Sequence, residues 1–114
     1  MINEQKTVCA KFKAEYLDCP LNLKVGISIS VRQGVLPVHG LRHKPDGDTT
    51  GWYIWAGEYS DAPDFFQPLH VSHIKDWCPW IEQYLGLAAG WRFLATPTYE
   101  DVWFDNALLE INDN

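Results

Sequence analysis

The side chains able to do chemistry are few and dispersed along the chain. There are four histidines. His39 and His43 are four apart, and His70 and His73 are three apart, so either pair could share one face of a helix. A zinc ion wants three or four ligands from His, Cys and carboxylate, and His70, His73 and Cys78 could supply three. No Cys-x-x-Cys or His-Glu-x-x-His pattern supports them, and the 39–43 stretch contains Gly40 and follows Pro37, poor ground for a helix. The reading is therefore no metal and no cofactor. Nucleophilic catalysis has as little behind it. No Gly-x-Ser-x-Gly elbow is present. Cys78 sits between Trp77 and Pro79 beside Asp76, a setting that raises a thiol pKa and leaves it inert. The glycines are too dispersed for a phosphate loop. Acids cluster as Glu58, Asp61 and Asp64 and again as Glu100, Asp101 and Asp105. General acid–base work needs two such groups facing one cleft with separated pKa values. Solvated loop acids are the simpler expectation, and a non-enzymatic protein follows from the whole set. The cysteines, Cys9, Cys19 and Cys78, are odd in number and lack metal spacing, so reduced thiols are expected; a Cys9–Cys19 bridge is conceivable but nothing requires it.

Charge and aromatic content point to binding. Residues 1–44 hold seven of the nine Lys and Arg against three acids, a net of +4, whereas residues 45–114 hold two against twelve, a net of −10. The acidic part lacks the cations that displace counterions from phosphates, which excludes nucleic acid as its partner. It could steer a basic protein onto itself, or simply keep the chain in solution. The sixteen aromatic residues include six Trp. Most belong in a core, and some suit interface hot spots. No stretch reaches the ~20 apolar residues of a membrane span. The start Met1-Ile2-Asn3-Glu4-Gln5-Lys6 has no apolar secretory region, so a cytoplasmic location is expected.

The elements that must position these residues follow from periodicity. Residues 4–18 show helical spacing at Val8, Phe12 and Leu17, closed by Asp18-Cys19-Pro20. Residues 23–31 alternate apolar with polar and read as a strand. Residues 35–50 read as irregular, with turn chemistry at Lys44-Pro45-Asp46-Gly47-Asp48. Gly51 to Glu58 reads as a central strand covered on both sides. Residues 69–75 fit strand or helix, Trp77 to Leu85 fit a helix capped by Asp76, Trp91 to Ala95 a strand, and Val102 to Phe104 a short edge strand. These predict an α+β fold: a small antiparallel sheet of about four strands packed with two helices in two layers. The length suits a single domain over 1–114, with its N-terminal helix within 1–20 and a frayed tail at 112–114.

The block Gly51-Trp52-Tyr53-Ile54-Trp55-Ala56-Gly57-Glu58 is followed by the acidic loop Asp61-Ala62-Pro63-Asp64, then by Tyr84-Leu85, Gly90-Trp91-Arg92-Phe93 and Trp103. Over roughly residues 23–105 this set resembles a family of small bacterial domains grouped with the immunity proteins of polymorphic toxin systems. The resemblance implies a cytoplasmic protein that binds and neutralises a cognate toxin domain, with no catalytic residues. The basic N-terminal helix and the cysteines fall outside the pattern. Combined with the charge distribution, it predicts an inhibitor whose contact residues are Glu58, Asp61, Asp64, Asp101 and Asp105, anchored by Trp55 and Trp103. A basic toxin, such as a nuclease whose phosphate sites these acids would mimic, is the partner such a surface suits. The alternative is a small-ligand-binding housekeeping domain with an aromatic cleft. A hydrolase using carboxylates or His70 and His73 is the weakest reading. Monomer and homodimer both remain open.

Overall fold

The computed structural model describes residues 1–110; the expected fraying of 112–114 lies outside them. Helix α1 spans Ile2–Phe12 and buries Gln5, Val8 and Cys9. It stops six residues short of the expected end at 18. Lys13 takes the left-handed conformation (φ 60°), its N–H turned back to the carbonyls of Ala10 and Cys9. A lysine there costs about 1 kcal/mol, so no glycine marks the stop.

The expected strand over 23–31 is divided in two. Strand β1 is Lys24–Ile27, and Ile29–Arg32 form a single helical turn, α2. The Ser28 hydroxyl caps that turn by accepting from the Ser30 N–H, and the Ser30 hydroxyl accepts from the Ala56 N–H at 3.1 Å. The serines that look like the polar half of a strand in fact terminate it. Next come β2 (Val38–Arg42), β3 (Thr49–Ala56) and β4 (Gln67–His70). A 3-10 turn at Val71–His73 leads into α3 (Ile74–Trp77), and a second 3-10 segment covers Pro79–Tyr84. Asp76 lies inside α3 rather than capping a helix. Strands β5 (Trp91–Thr96) and β6 (Tyr99–Phe104) form a hairpin, followed by a 3-10 turn at Asn106–Leu109.

The fold is α+β, but the sheet has six strands rather than four and is mixed rather than antiparallel. Its order is β4-β1-β3-β2-β5-β6. β1 runs parallel to β3, and every other pairing is antiparallel. β3 is central, as expected. The register places Val38, Gly40 and Arg42 beside Ala56, Ile54 and Trp52, all on one face. That face, with Val25, Ile27, Phe93, Ala95 and Val102, forms one core with Val8 and Cys9 of α1 and with Ile74, Ile81, Tyr84, Leu85 and Leu87.

Two features hold this core in register. The first is Arg42, fully buried and without a carboxylate partner among the described residues. Its guanidinium donates to five backbone carbonyls: Leu17, Asp18, Thr50, Leu85 and Leu87, at 2.8–3.1 Å. The indole N–H of Trp52 reaches the Leu85 carbonyl as well, at 3.0 Å. The second is Gly51 at φ +92°, where a Cβ would lie 1.9 Å from the His43 carbonyl oxygen. It occupies the bulge that shifts the β1–β3 register between Lys24↔Thr49 and Gly26↔Tyr53.

All three cysteines are buried and free. Burial raises the Cys19 thiol to about 11, against the weaker opposing pull of Arg42, and pushes Cys9 and Cys78 up too. The thiolate is the reactive species. The native protein at pH 7.5 is therefore expected to leave all three thiols unlabelled by a disulfide reagent over minutes, and all three should react in denaturant. Rapid labelling of Cys19 in the folded state would contradict this placement.

Candidate functional site

β3 exposes different chemistry on its two faces. Trp52, Ile54 and Ala56 enter the core, while Tyr53 and Trp55 point to the face that the helices leave uncovered. That second face is not sealed as the sequence suggested. The loop 57–66 folds over part of it and leaves Tyr53 39% exposed. Gly57, at φ +70°, starts the loop, its N–H bonded to the Pro37 carbonyl at 2.9 Å.

The result is a connected set of rings. Trp55 stacks flat on His39 with centroids 4.9 Å apart, a contact that the His39↔Trp55 pairing of β2 and β3 imposes. Tyr59 and Phe66 meet Trp55 edge-on at 5.5 and 6.1 Å. Phe66 also meets Tyr53 at 5.2 Å and Phe65 at 4.9 Å. These edge-to-face contacts are the favoured aromatic geometry and join the loop to the strand as an aromatic rim. Desolvation, with Arg92 nearby, holds the His39 pKa below its ordinary value, so a neutral imidazole stacks on Trp55 at neutral pH.

Beside the rings lies an open groove of about 900 Å³, with Leu41, Tyr53 and Trp55 in its floor and Tyr59, Phe66, His43 and Leu108 among its walls. A second, smaller hollow of about 290 Å³ continues past Tyr53 and Phe66 toward Pro68. Both are lined mainly by apolar and aromatic side chains with a few polar groups, the usual make-up of a binding cleft.

The seven residues expected to make contact fall into two groups. Trp55 forms part of the groove, and Glu58, Asp61 and Asp64 are exposed on the loop that walls it. None of these three acids makes an ion pair among the described residues. Asp101, Trp103 and Asp105 lie on or just beyond β6, three strands away from β3, about 14 Å in a regular sheet. Asp101 is exposed. Trp103 carries the Arg92 guanidinium over its ring at 5.6 Å. Asp105 is already engaged: it accepts from Arg92 Nη1 at 3.1 Å and from the Ala107 N–H at 3.1 Å, capping the last 3-10 turn.

Tyr53, Tyr59, Phe66 and His39 line or border the groove but are not among the seven expected contact residues, His39 having been weighed only as a metal ligand. Tyr53 could have been, since it shares the Trp55 side of β3; His39 could not, because its role depends on the β2–β3 register. The histidine pair His70 and His73 sits on the surface with ring centroids 6.4 Å apart. Among the described residues no group of three His, Cys, Asp or Glu is placed to hold a metal ion. No helix among them is long and apolar enough to cross a membrane.

Glu100 links β6 to the helical layer. It is paired with Lys11 of α1 and accepts from the Tyr84 hydroxyl at 2.7 Å. Lys11 chiefly, and Tyr84, hold its carboxyl below the ordinary glutamate value. A depressed folded pKa means stability that is present above the unfolded value of about 4.3 and is lost as pH falls through the folded one. Glu100→Gln should therefore lower the melting temperature at pH 7 and make it less sensitive to acid below pH 4. An unchanged acid dependence would show that the pairing contributes nothing.

No curated protein and no solved structure matches the chain. A family model, the Imm33-like domain, matches residues 4–105. That match takes in most of α1, all six strands, the acidic loop and the groove apart from Leu108 and Leu109, and on it the chain belongs to the Imm33-like domain family, an immunity-protein family.

Proposed function

We propose that this chain is a non-enzymatic, cytoplasmic immunity protein that neutralises a cognate toxin domain by binding it through the groove and the loop 57–66. The observation that supports this most is the juxtaposition of three exposed carboxylates, Glu58, Asp61 and Asp64, unpaired among the described residues, with the aromatic rim of Trp55, Tyr59 and Phe66. Aromatic anchors give affinity at low entropic cost. Unpaired acids around them attract a basic surface and speed its approach. On a toxin that acts on nucleic acid, the same acids would occupy its phosphate sites. Asp101 and Trp103 are expected to contribute less to this contact, since they lie on the far edge of the sheet, and Asp105 less again, since its carboxylate is already bonded.

The test is capture from a native lysate at low and high salt with the wild type and with the variant Glu58→Gln/Asp61→Asn/Asp64→Asn. One stoichiometric toxin-like partner, held by the wild type and released by salt or by the triple variant, is the expected outcome. A partner held equally by both proteins would remove this surface from the proposal. Tyr59→Ala should weaken the same complex by roughly 2 kcal/mol, about thirtyfold. The groove's volume and aromatic lining also favour the small-ligand reading. A stoichiometric adduct in the native mass spectrum, lost in Tyr59→Ala, would support that instead.

A further inference from the structure

The two edges of the sheet are unlike. β4 is four residues long and contains Pro68, which limits what can pair with it. β6 is six residues long, pairs with β5 through six consecutive positions without a bulge, and contains no proline, glycine or lysine. It carries three exposed large side chains, Tyr99, Trp103 and Phe104, at 57%, 36% and 46%. These lack most of the devices by which edge strands discourage pairing.

The hairpin determines which backbone groups are free. Thr96 pairs with Tyr99 across a two-residue turn, and the Asp105 N–H bonds inward to the Gly90 carbonyl. Alternation along an antiparallel ladder then turns the N–H and C=O groups of Glu100, Val102 and Phe104 outward. Among the described residues nothing else hydrogen-bonds them.

We propose that β6 is the seam of a two-fold homodimer in which two β6 strands pair antiparallel and the two sheets become one of twelve strands. This inference does not depend on the toxin-binding reading. The charge pattern of the strand, together with overlap along its length, selects both the occupant and the register, since an axis at either end, Tyr99 or Phe104, leaves most of the strand unpaired. An axis through Glu100 opposes Glu100 to itself. An axis through Asp101 opposes Asp101 to itself, and one through Trp103 opposes Asp101 to Asp105. An axis through Val102 opposes Glu100 to Phe104, Asp101 to Trp103 and Asp105 to Tyr99, so every acid faces an aromatic ring and no two acids meet. That register also brings together the outward-facing groups of residues 100, 102 and 104, as the ladder requires. A two-fold contact must be self-complementary, and this strand is so in that register.

Sedimentation equilibrium of the purified chain over a concentration series is the first measurement. Twice 13.1 kDa is expected, and a monomer at every concentration overturns the proposal. Trp103→Asp, at a partly exposed position, places two carboxylates opposite each other at Asp101 of either copy. It should raise the dimer dissociation constant at least tenfold, and adding Asp101→Lys should restore it. A dimer that Trp103→Asp leaves intact overturns the proposal, because its seam would lie elsewhere. Should that variant not fold, amide exchange of the wild type decides. Protection of the Glu100, Val102 and Phe104 amides that rises with protein concentration supports the seam, and exchange independent of concentration rejects it.

Discussion

Replacing Arg42 by methionine is expected to unfold the protein or leave it barely folded. The guanidinium is fully buried and donates to five carbonyls from three separate stretches of chain. Methionine fills similar space but donates nothing. Several buried acceptors would lose a partner at about 1–3 kcal/mol each, against a net stability of about 5–15 kcal/mol for a typical domain. A loss of about 4 kcal/mol or more is expected in urea titrations. Arg42→Lys keeps the charge but brings one nitrogen with three protons to a cage built for a five-donor fork. Its loss should be intermediate. A methionine variant within about 1 kcal/mol of wild type would show that the carbonyls find water or one another without the arginine.

Gly51→Ala comes second. The position combines φ +92° with a Cβ site 1.9 Å from the His43 carbonyl oxygen. The obstacle is backbone, fixed by the His43 N–H to Gly51 carbonyl bond at 2.9 Å, so no side-chain rotation relieves it. Strain of ~1–3 kcal/mol for the conformation adds to the clash, and a total of about 3 kcal/mol or more is expected in the same titrations. The effect should extend to the site, because Gly51 borders both the groove and the smaller hollow. Groove-dependent binding should therefore weaken even at temperatures where the variant remains folded. An alanine variant as stable as wild type would mean that the β3 bulge can be rebuilt without a left-handed residue.

These two residues also mark where the sequence was legible and where it was not. β3 could be read because its aromatic and β-branched residues lie between glycines that end the run, and β5 for similar reasons. β2 was invisible because its core-facing positions are Val38, Gly40 and Arg42. Gly40 has no side chain because the Phe93 ring occupies that space, 2.1 Å from where its Cβ would be. Arg42 is polar because it bonds carbonyls that only the folded chain assembles. Neither reason is local, so a period-two pattern cannot show them. β4 was hidden by its short, mostly polar edge, and the end of α1 by a lysine doing what glycine usually does. Near the groove, Trp55 and the acids of the 58–64 loop stand out in the sequence because composition alone exposes them. The separation of Asp101, Trp103 and Asp105 from the groove depends on strand order, which no spacing rule contains.

The Arg42 cage also bears on how the chain comes into being. Its acceptors lie 8, 24, 25, 43 and 45 positions away. A ribosome makes Leu17 and Asp18 early and Leu87 last of these, so the charge has no complete enclosure until most of the chain exists. Shorter nascent chains have no low-energy place for that arginine inside and must keep it in water, with β2 and the residues beside it held open. Folding is therefore expected as a single late event rather than piece by piece during synthesis. A truncated copy ending before Leu87 is expected to be unfolded and a substrate for proteolysis.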